Sequence, residues 1–134
     1  YTGHKTITDA DIIGFANLTG DWNPAHVDSE YCKTVPLGVR IAHNLLVISI
    51  AMGMFSAHLG ILEGTIWAFL GSSWSHKRPV RLGDTFSAKF TVAEKQETGK
   101  GTHGRVVFNA VITNQNGEVT QEGKLDTLFQ RKKQ

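Results

Sequence analysis

The chain has 134 residues, of which 40% are hydrophobic and 19% charged, and its formal net charge is +2. That length predicts one domain over residues 1–134, with enough chain to bury a core. The balanced charge, with no run of five or six like charges, argues against a nucleic-acid-binding protein, whose surface would carry a longer basic stripe.

The chain opens with a predicted short strand and a predicted helix. Residues 4–7 are expected to form the strand. Thr8 then has the properties of an N-cap, because its hydroxyl can accept a hydrogen bond from an amide two or three residues further on. Apolar residues at helical spacing predict a helix over residues 9–18, which ends at Thr19-Gly20.

Residues 19–43 are predicted to be mostly irregular, with one short helical piece near residues 29–33. Asn23-Pro24 and Pro36-Leu37-Gly38 are turn signals. Irregular segments of this length are more often functional than idle. The segment holds the only cysteine, Cys32, for which we expect a structural role, with a nucleophile as the alternative. A single cysteine excludes an internal disulfide and favours a reducing compartment, namely the cytoplasm, or the mitochondrial matrix or peroxisome in a eukaryote.

The apolar run over residues 45–59 is shorter than the roughly 20 residues that cross a bilayer. We interpret it as a helix over residues 44–58 of a folded core. The run has hardly any polar face, and a helix that is hydrophobic all round is expected to be surrounded by other structure.

The second half of the chain changes to a period of two, which predicts strands over residues 65–75, 85–97, 104–114 and 118–130. Glycine-containing turns separate them, and Asn116-Gly117 is a strong hairpin signal. Tight turns imply an antiparallel sheet, so the fold class is α+β, with the sheet curled around the apolar helix. Trp67 and Trp74 are expected to serve in packing or in a dimer contact.

Two parts of the irregular segment are candidates for chemistry. Asp21 and His26 are five residues apart across a turn, so a carboxylate and an imidazole can converge on one water for acid–base work. An Asx turn beside a surface histidine is the alternative. His43 and Asn44 stand at the start of the apolar helix, where outward amides can hold a developing oxyanion. The alternative is a helix start without a catalytic role, in which the His43 side chain is hydrogen-bonded within the protein.

These pieces together resemble the MaoC-like (3R)-specific enoyl-CoA hydratases. The family motif reads F-A, then [ST]-G-D-x-N-P-x-H, then F-G-x-x-I-A-H-G. It is matched by Phe15-Ala16, Thr19-Gly20-Asp21, Asn23-Pro24, His26, Gly38 and Ile41-Ala42-His43. Later, Pro79-Val80-Arg81-Leu82-Gly83-Asp84 and Asn114-Gln115-Asn116-Gly117 match two further family turns. This chain departs from the motif at Leu37, where the family has Phe, and at Asn44, where it has Gly.

The resemblance implies a hotdog fold and reversible hydration of a trans-2-enoyl-CoA to the (3R)-3-hydroxyacyl-CoA. It implies a catalytic set of Asp21, His26 and the Asn44 amide. We expect the substrate to be bound by Asn23, His43, Ser49, Met52, Phe55 and Arg78. The bulky Met52 and Phe55 predict short acyl chains of about four to six carbons, with plain core packing as their alternative. Arg78 is predicted to reach the coenzyme A phosphates, or else belongs to a solvated turn.

The expected partners are an acyl-CoA or an acyl-carrier-protein thioester and a second copy of the chain, as a homodimer or a dimer of dimers. Neither a nucleic acid nor a membrane is expected as a partner. No cofactor is expected, because the coenzyme A thioester is the substrate, and the histidines lack the spacing of metal ligands. The alternative functions are an acyl-carrier-protein dehydratase, another hotdog thioester enzyme such as a thioesterase, and a non-catalytic acyl-binding module.

Overall fold

The computed structural model describes residues 1–58, 64–99 and 101–131. The elements in chain order are β1 (Lys5–Thr6), α1 (Asp9–Thr19), α2 (Pro24–Val27), α3 (Ser29–Lys33), α4 (Asn44–His58), β2 (Ile66–His76), β3 (Thr85–Glu97), β4 (His103–Asn114) and β5 (Val119–Gln130). The predicted strands and the two long predicted helices agree with these bounds within one residue at each end. Leu59 and Lys100, at the end of the apolar run and in a predicted turn, lie outside the described residues.

The sheet has five strands in the order β1-β3-β4-β5-β2, and every pairing is antiparallel, as predicted. The hairpin between β4 and β5 turns at Asn116-Gly117, where Gly117 has a φ of 75°. That backbone region favours glycine, because a side chain would crowd the following carbonyl. The order leaves the long strand β2 at one edge of the sheet.

The main core lies between α4 and the sheet. Leu46, Val47 and Ala51 of α4 pack in one buried cluster with Phe86 of β3 and Ile112 of β4. Full burial of a valine, leucine, isoleucine or phenylalanine side chain contributes about 1.5–3 kcal/mol to the stability of the fold. A second cluster joins Phe55 of α4 to Phe108 and Leu125. The α+β prediction is therefore confirmed.

The prediction that α4 is surrounded on all sides is wrong for the chain by itself. The sheet covers one face of the helix, but Leu45 is 64% exposed, and Ser49, Gly53 and Ser56 are exposed as well. A single sheet reaches only one side of a helix, so the other side, where Leu45 stands among small and polar residues, is uncovered within one chain. None of the described helices is long and apolar enough to span a membrane.

The segment between α1 and α4 is more ordered than predicted, because it contains α2 as well as α3. Asn23 caps α2, with its side-chain oxygen accepting from the Ala25 N–H at 3.0 Å. Pro24 follows at the first helical position, where its missing N–H costs nothing. Because an Asn-Pro pair is also a common turn signal, the sequence predicted a turn where the structure has the four-residue helix α2.

Backbone pairing ties the end of this segment to the turn between β2 and β3. Ile41 forms an antiparallel bridge with Arg81. The Ala42 N–H donates to Val80 O at 2.8 Å, and the Leu82 N–H donates to Arg40 O at 2.9 Å. The residues just before α4 are therefore held against the sheet, which fixes where α4 begins.

Candidate active site

Asp21 is held just after α1 by a chain of local hydrogen bonds. Gly20 ends α1 in the left-handed region with a φ of 78°, and its N–H donates to Ala16 O at 2.8 Å. The Asp21 N–H donates to the Thr19 hydroxyl at 3.3 Å. The Asn23 N–H in turn donates to Asp21 Oδ1 at 3.3 Å, which closes an Asx turn. The Asp21 side chain remains 54% exposed, so it can meet a ligand.

His26 lies on α2 with a fixed ring orientation. Its Nδ1 contacts the main-chain oxygen of Ile41 at 2.8 Å. A carbonyl oxygen can only accept, so Nδ1 carries the hydrogen and Nε2 is left with a lone pair. That Nε2 lies on the side of Asp21, and the side chain is 14% exposed. The ring is thus arranged to take a proton at Nε2.

The Asp21 carboxylate and the His26 imidazole converge without touching. Asp21 Oδ2 lies 3.9 Å from His26 Nε2, which is longer than a direct hydrogen bond. Polar groups at such a separation can be bridged by one water that bonds to both. A carboxylate and a basic imidazole nitrogen around one water can remove a proton from it and return a proton to a neighbouring atom.

His43, the residue before α4, joins this pair from the buried side. Its ring stacks on the His26 ring with centroids 3.7 Å apart and an interplanar angle of 27°. Its Nε2 contacts the main-chain oxygen of Asp21 at 2.9 Å and lies 3.9 Å from Asp21 Oδ2. The residue is 3% exposed. His43 was predicted to bind substrate, and the structure places it behind the two predicted catalytic residues.

Asn44 begins α4, so its N–H is one of the helix amides that have no partner within the helix. Its side chain and main chain both meet Gln121 of β5, whose Nε2 lies 3.3 Å from Asn44 Oδ1 and 3.3 Å from Asn44 O. Gln121 is fully buried. The side chain that replaces the motif glycine is therefore held toward β5, and the amide remains available.

The other predicted binding residues have varied surroundings. Asn23 is the α2 cap. Ser49 is exposed on α4 and donates its hydroxyl to Leu45 O at 2.7 Å. Met52 is half-buried, whereas Phe55 is 5% exposed and packs against the Phe90 and Phe108 rings at centroid distances of 4.3 and 5.1 Å. Their roles toward a substrate stay predictions.

Arg78 lies in the turn after β2, where basic side chains have acidic neighbours. Its Nη1 is 3.6 Å from Glu118 Oε1, and the Lys77 ammonium is 2.8 Å from Glu122 Oε1. Arg78 and Arg81 line a polar hollow of about 330 Å³. That chemistry suits a phosphate only in part, because Glu118 and Asp84 line the same hollow.

Asp21, His26 and His43 bring potential metal-ligand atoms within 4.8 Å of one another, a grouping that the sequence spacing did not suggest. Each side chain could offer one donor to an ion such as zinc. However, the Nε2 of His43 must carry a hydrogen to bond to Asp21 O. That nitrogen has no lone pair for a metal while this bond is made, so the grouping suits proton transfer better.

Two contacts of the site had no signal in the sequence. The Ile41 carbonyl that orients His26 belongs to the main chain, and Gln121 is 77 residues away from Asn44.

Cys32 is fully buried beneath α2, with its sulfur 3.5 Å from Ala25 O. That position is consistent with the structural role expected for it, since it contacts α2 from inside.

The sequence that forms this site matches a known family. The family model described as "MaoC like domain" matches residues 2–115. The chain belongs to the MaoC-like family. The MaoC-like match includes the Asp21, His26 and Asn44 positions and the turn after β2. It ends within the hairpin between β4 and β5.

Among relatives of this MaoC-like chain, an (R)-specific enoyl-CoA hydratase of Rhodospirillum rubrum is 44% identical over 66% of the chain and 59% of the relative. A 3-hydroxybutyryl-CoA dehydratase of Methylorubrum extorquens is 38% identical over 67% of the chain and 55% of the relative. The chain thus spans a little over half the length of these two curated relatives. An (R)-hydratase from A. caviae involved in PHA biosynthesis superposes with a TM-score of 0.82 at 28% identity, covering 95% of this chain and 91% of that one. The fold is the expected hotdog fold.

Proposed function

We propose that the protein is a hydro-lyase that reversibly adds water to a trans-2-enoyl-CoA and forms the (3R)-3-hydroxyacyl-CoA. The observation that carries this proposal is the gap of 3.9 Å between Asp21 Oδ2 and His26 Nε2. Both atoms have free lone pairs, and the gap suits one water that bonds to both. The relatives from Rhodospirillum rubrum, an (R)-specific enoyl-CoA hydratase, and from Methylorubrum extorquens, a 3-hydroxybutyryl-CoA dehydratase, support the same reaction class.

In the proposed reaction, Asp21 and His26 hold the water over one face of the enoyl double bond. One hydrogen of the water passes to the pair as the oxygen attacks C3 and the π electrons move onto the thioester. The pair then returns a proton to C2 on the same face, so one water is consumed and the pair is regenerated. Because His26 already gives its Nδ1 hydrogen to Ile41 O, Nε2 is the atom that takes up and releases the proton.

The Asn44 N–H is the proposed donor to the thioester oxygen as charge develops there. An amide at the first position of a helix is unpaired within the helix, and the helix dipole favours negative charge at that end. The contact with Gln121 supports this role, since it holds the Asn44 side chain by its Oδ1. The motif glycine can therefore be replaced here without loss of the amide.

The proposed substrate is a short enoyl-CoA, with the acyl chain running along α4 past Met52 and Phe55. Phe55 is fixed in an aromatic cluster, which supports a limit on acyl length of about four to six carbons by the steric argument. The predicted role of Arg78 is to meet the phosphates of coenzyme A. The proposed reaction uses no cofactor, since the thioester activates the double bond and Asp21 and His26 activate the water.

We also propose that the chain acts as a homodimer, or as a dimer of dimers, in a reducing compartment such as the cytoplasm. Four apolar side chains of the edge strand β2 support the dimer, with Ile66, Trp67, Phe69 and Leu70 between 40% and 65% exposed. Leu45, on the open face of α4, is a further exposed apolar side chain. The buried, unpaired Cys32 supports the reducing compartment.

The test is an assay with crotonyl-CoA, in which loss of the enoyl-thioester absorbance reports hydration and chiral analysis identifies the product. We expect (3R)-3-hydroxybutyryl-CoA. Formation of free coenzyme A instead would identify a thioesterase, and no reaction with any enoyl thioester would refute the proposal. Parallel reactions with the carrier-protein thioester and with longer enoyl chains test the preferred carrier and the acyl limit.

A further inference from the structure

We propose that His43 is a positioning residue for the reaction, which holds Asp21 and His26 in their mutual geometry and does not contact the substrate. This inference rests on the proposed hydratase function. It departs from the predicted substrate-binding role of His43. His43 is the one described side chain that contacts both members of the pair.

The first contact restrains the His26 ring. The hydrogen bond from Nδ1 to Ile41 O fixes one edge of that ring at 2.8 Å, but a ring held at one edge can still tilt about the bond. The His43 ring lies flat against the face of His26, with a centroid separation of 3.7 Å. The two contacts together fix the direction in which His26 Nε2 points.

The second contact restrains the backbone that carries the Asp21 carboxylate. The Nε2–H of His43 donates to Asp21 O at 2.9 Å. The side chain of Asp21 is 54% exposed and accepts a weak bond of 3.3 Å from the Asn23 N–H. The carboxylate position therefore depends on the main chain of Asp21, and His43 anchors that main chain from the buried side.

Burial separates His43 from any ligand. The residue is 3% exposed, and the Phe15 ring packs against it at a centroid distance of 5.0 Å. Its own carbonyl accepts from the Val47 N–H at 3.2 Å, so its backbone is fixed to the first turn of α4. One buried side chain thus ties together α4, the Asp21 backbone and the His26 ring.

His43 is also unsuited to take the proton itself. Its Nε2 carries the hydrogen that is given to Asp21 O, and its Nδ1 is buried without a partner among the described residues. Although Nε2 lies 3.9 Å from Asp21 Oδ2, it has no lone pair with which to accept a proton while it donates to Asp21 O. The role left to His43 is to set distances, to which proton transfer is sensitive at the scale of an ångström.

The test uses three variants that remove the two contacts separately. His43→Phe keeps a flat ring but loses the donor, His43→Gln keeps a donor but loses the ring, and His43→Ala loses both. We expect kcat to fall about 10²-fold in His43→Ala, as for a misplacement of about 1 Å, and less in the other two. KM for crotonyl-CoA should stay within about twofold, as expected when only transition-state interactions are lost.

Ile112→Val is the matched control, because Ile112 is fully buried in the core of the sheet. It should lower the thermal midpoint without lowering kcat, which separates positioning from a general loss of stability. Wild-type kcat in folded His43→Phe and His43→Gln would overturn the proposal. A rise in KM at unchanged kcat would also overturn it, because that result identifies a substrate contact.

A cycle with Asp21→Asn isolates the coupling between the residues. If His43 acts through Asp21 and His26, then adding His43→Ala to Asp21→Asn should cause little further loss, because groups that act as a unit are not additive. A full additional loss of about 10²-fold would contradict the inference. An inactive wild type would instead refute the hydratase function, so the two failures are distinguishable.

Discussion

The exposed carboxylate of Asp21 and the sheltered ring of His26 divide the work of the proposed reaction. Asp21 is 54% exposed and can exchange water, whereas His26 is 14% exposed and is oriented by a main-chain carbonyl. Asp21 is accessible to water and substrate, and His26 sets the direction of proton transfer. Since each holds the water only with the help of the other, they should behave as a unit.

Asp21→Asn and His26→Ala are each expected to lower kcat for hydration by roughly 10²- to 10⁴-fold. Asparagine keeps the size of the side chain but cannot accept the proton, and alanine removes the imidazole. The double variant should be little worse than either single variant. Turnover and thermal midpoints are measured together; near-normal turnover in either folded variant would contradict the assignment of the pair.

The sequence could identify this pair but not its supports. The spacing of Asp21 and His26 across a turn is visible in the sequence, and so is the resemblance that gives the pair its role. The roles of the Ile41 carbonyl and the Gln121 side chain cannot be predicted from the sequence. Any residue offers a carbonyl, and Gln121 contacts Asn44 only because the fold brings β5 next to α4. The burial of His43 likewise depends on packing across elements.

The sheet depends on one glycine where β2, β5 and β4 lie side by side. Gly123 pairs with Trp74 and with Ala110. A Cβ built on Gly123 would lie 2.4 Å from Ser73 O and 2.7 Å from the Trp74 ring. These distances are shorter than van der Waals contact, so the backbone of β2 can approach β5 this closely only because Gly123 has no side chain.

Gly123→Ala is therefore expected to destabilise the fold by about 1–3 kcal/mol, as overpacking does. Gly104→Ala is the matched control, because Gly104 is also a strand glycine but its added Cβ would lie 3.7 Å from Gln96 O, an ordinary contact. Urea unfolding of both variants measures the difference. Equal stability of the two variants would show that β2 can move away from β5 without cost.

The hydrogen bonds at the start of α1 also contribute measurably to the stability of the fold. The Thr8 side chain accepts from the Asp11 N–H, and the Asp11 carboxylate accepts from the Thr8 N–H at 2.8 Å. Burial alone would raise the pKa of Asp11. The Lys5 ammonium at 2.8 Å and the Thr8 hydrogen bonds outweigh it and hold that pKa below its ordinary value of 3.8.

A carboxyl group with a lowered pKa stabilises the fold above its unfolded pKa, and this contribution is lost as the pH falls through the folded pKa. Asp11→Asn should therefore be less stable than wild type at neutral pH by roughly 0.5–1 kcal/mol, since the pair is partly exposed. The difference should disappear well below pH 3.8. Thermal unfolding across pH measures it, and a pH-independent difference would assign the effect to capping alone.

The elements themselves were largely predictable, for physical reasons that differ along the chain. Strands β2 to β5 are 11 to 13 residues long and are separated by segments that contain glycine, so each strand is long enough to be recognised from the sequence. The four residues of α2 are too short for any periodicity. Their helical form depends on the Asn23 cap and on the pairing of Ile41 with Ala25 O.

At the scale of the whole molecule, the single chain leaves apolar surface uncovered. Strand β2 is the edge of the sheet, and its exposed Trp67, Phe69 and Leu70 stand beside unpaired backbone groups. Only Trp74, farther along the strand, packs into the core. Hydrophobic residues on a long free edge normally lead to pairing with another chain. The sequence pattern of α4 predicted burial on every side, but the single chain buries only the face toward the sheet, and a second chain is the proposed cover for the rest.

The exposed edge of β2 predicts how two copies of the chain assemble. Two copies that pair their β2 edges about a twofold axis would continue the sheet and cover the open face of α4, because a twofold interface uses the same patch on both copies. Light scattering at micromolar concentration should give at least twice the chain mass of 14.7 kDa. Phe69→Glu should shift the protein toward the monomer, since a charge at a buried interface is costly without a partner. Val92→Glu is the control, because Val92 is also an exposed apolar residue, 45% accessible, but lies on β3. A monomeric wild type, or equal dissociation in both variants, would contradict pairing through β2.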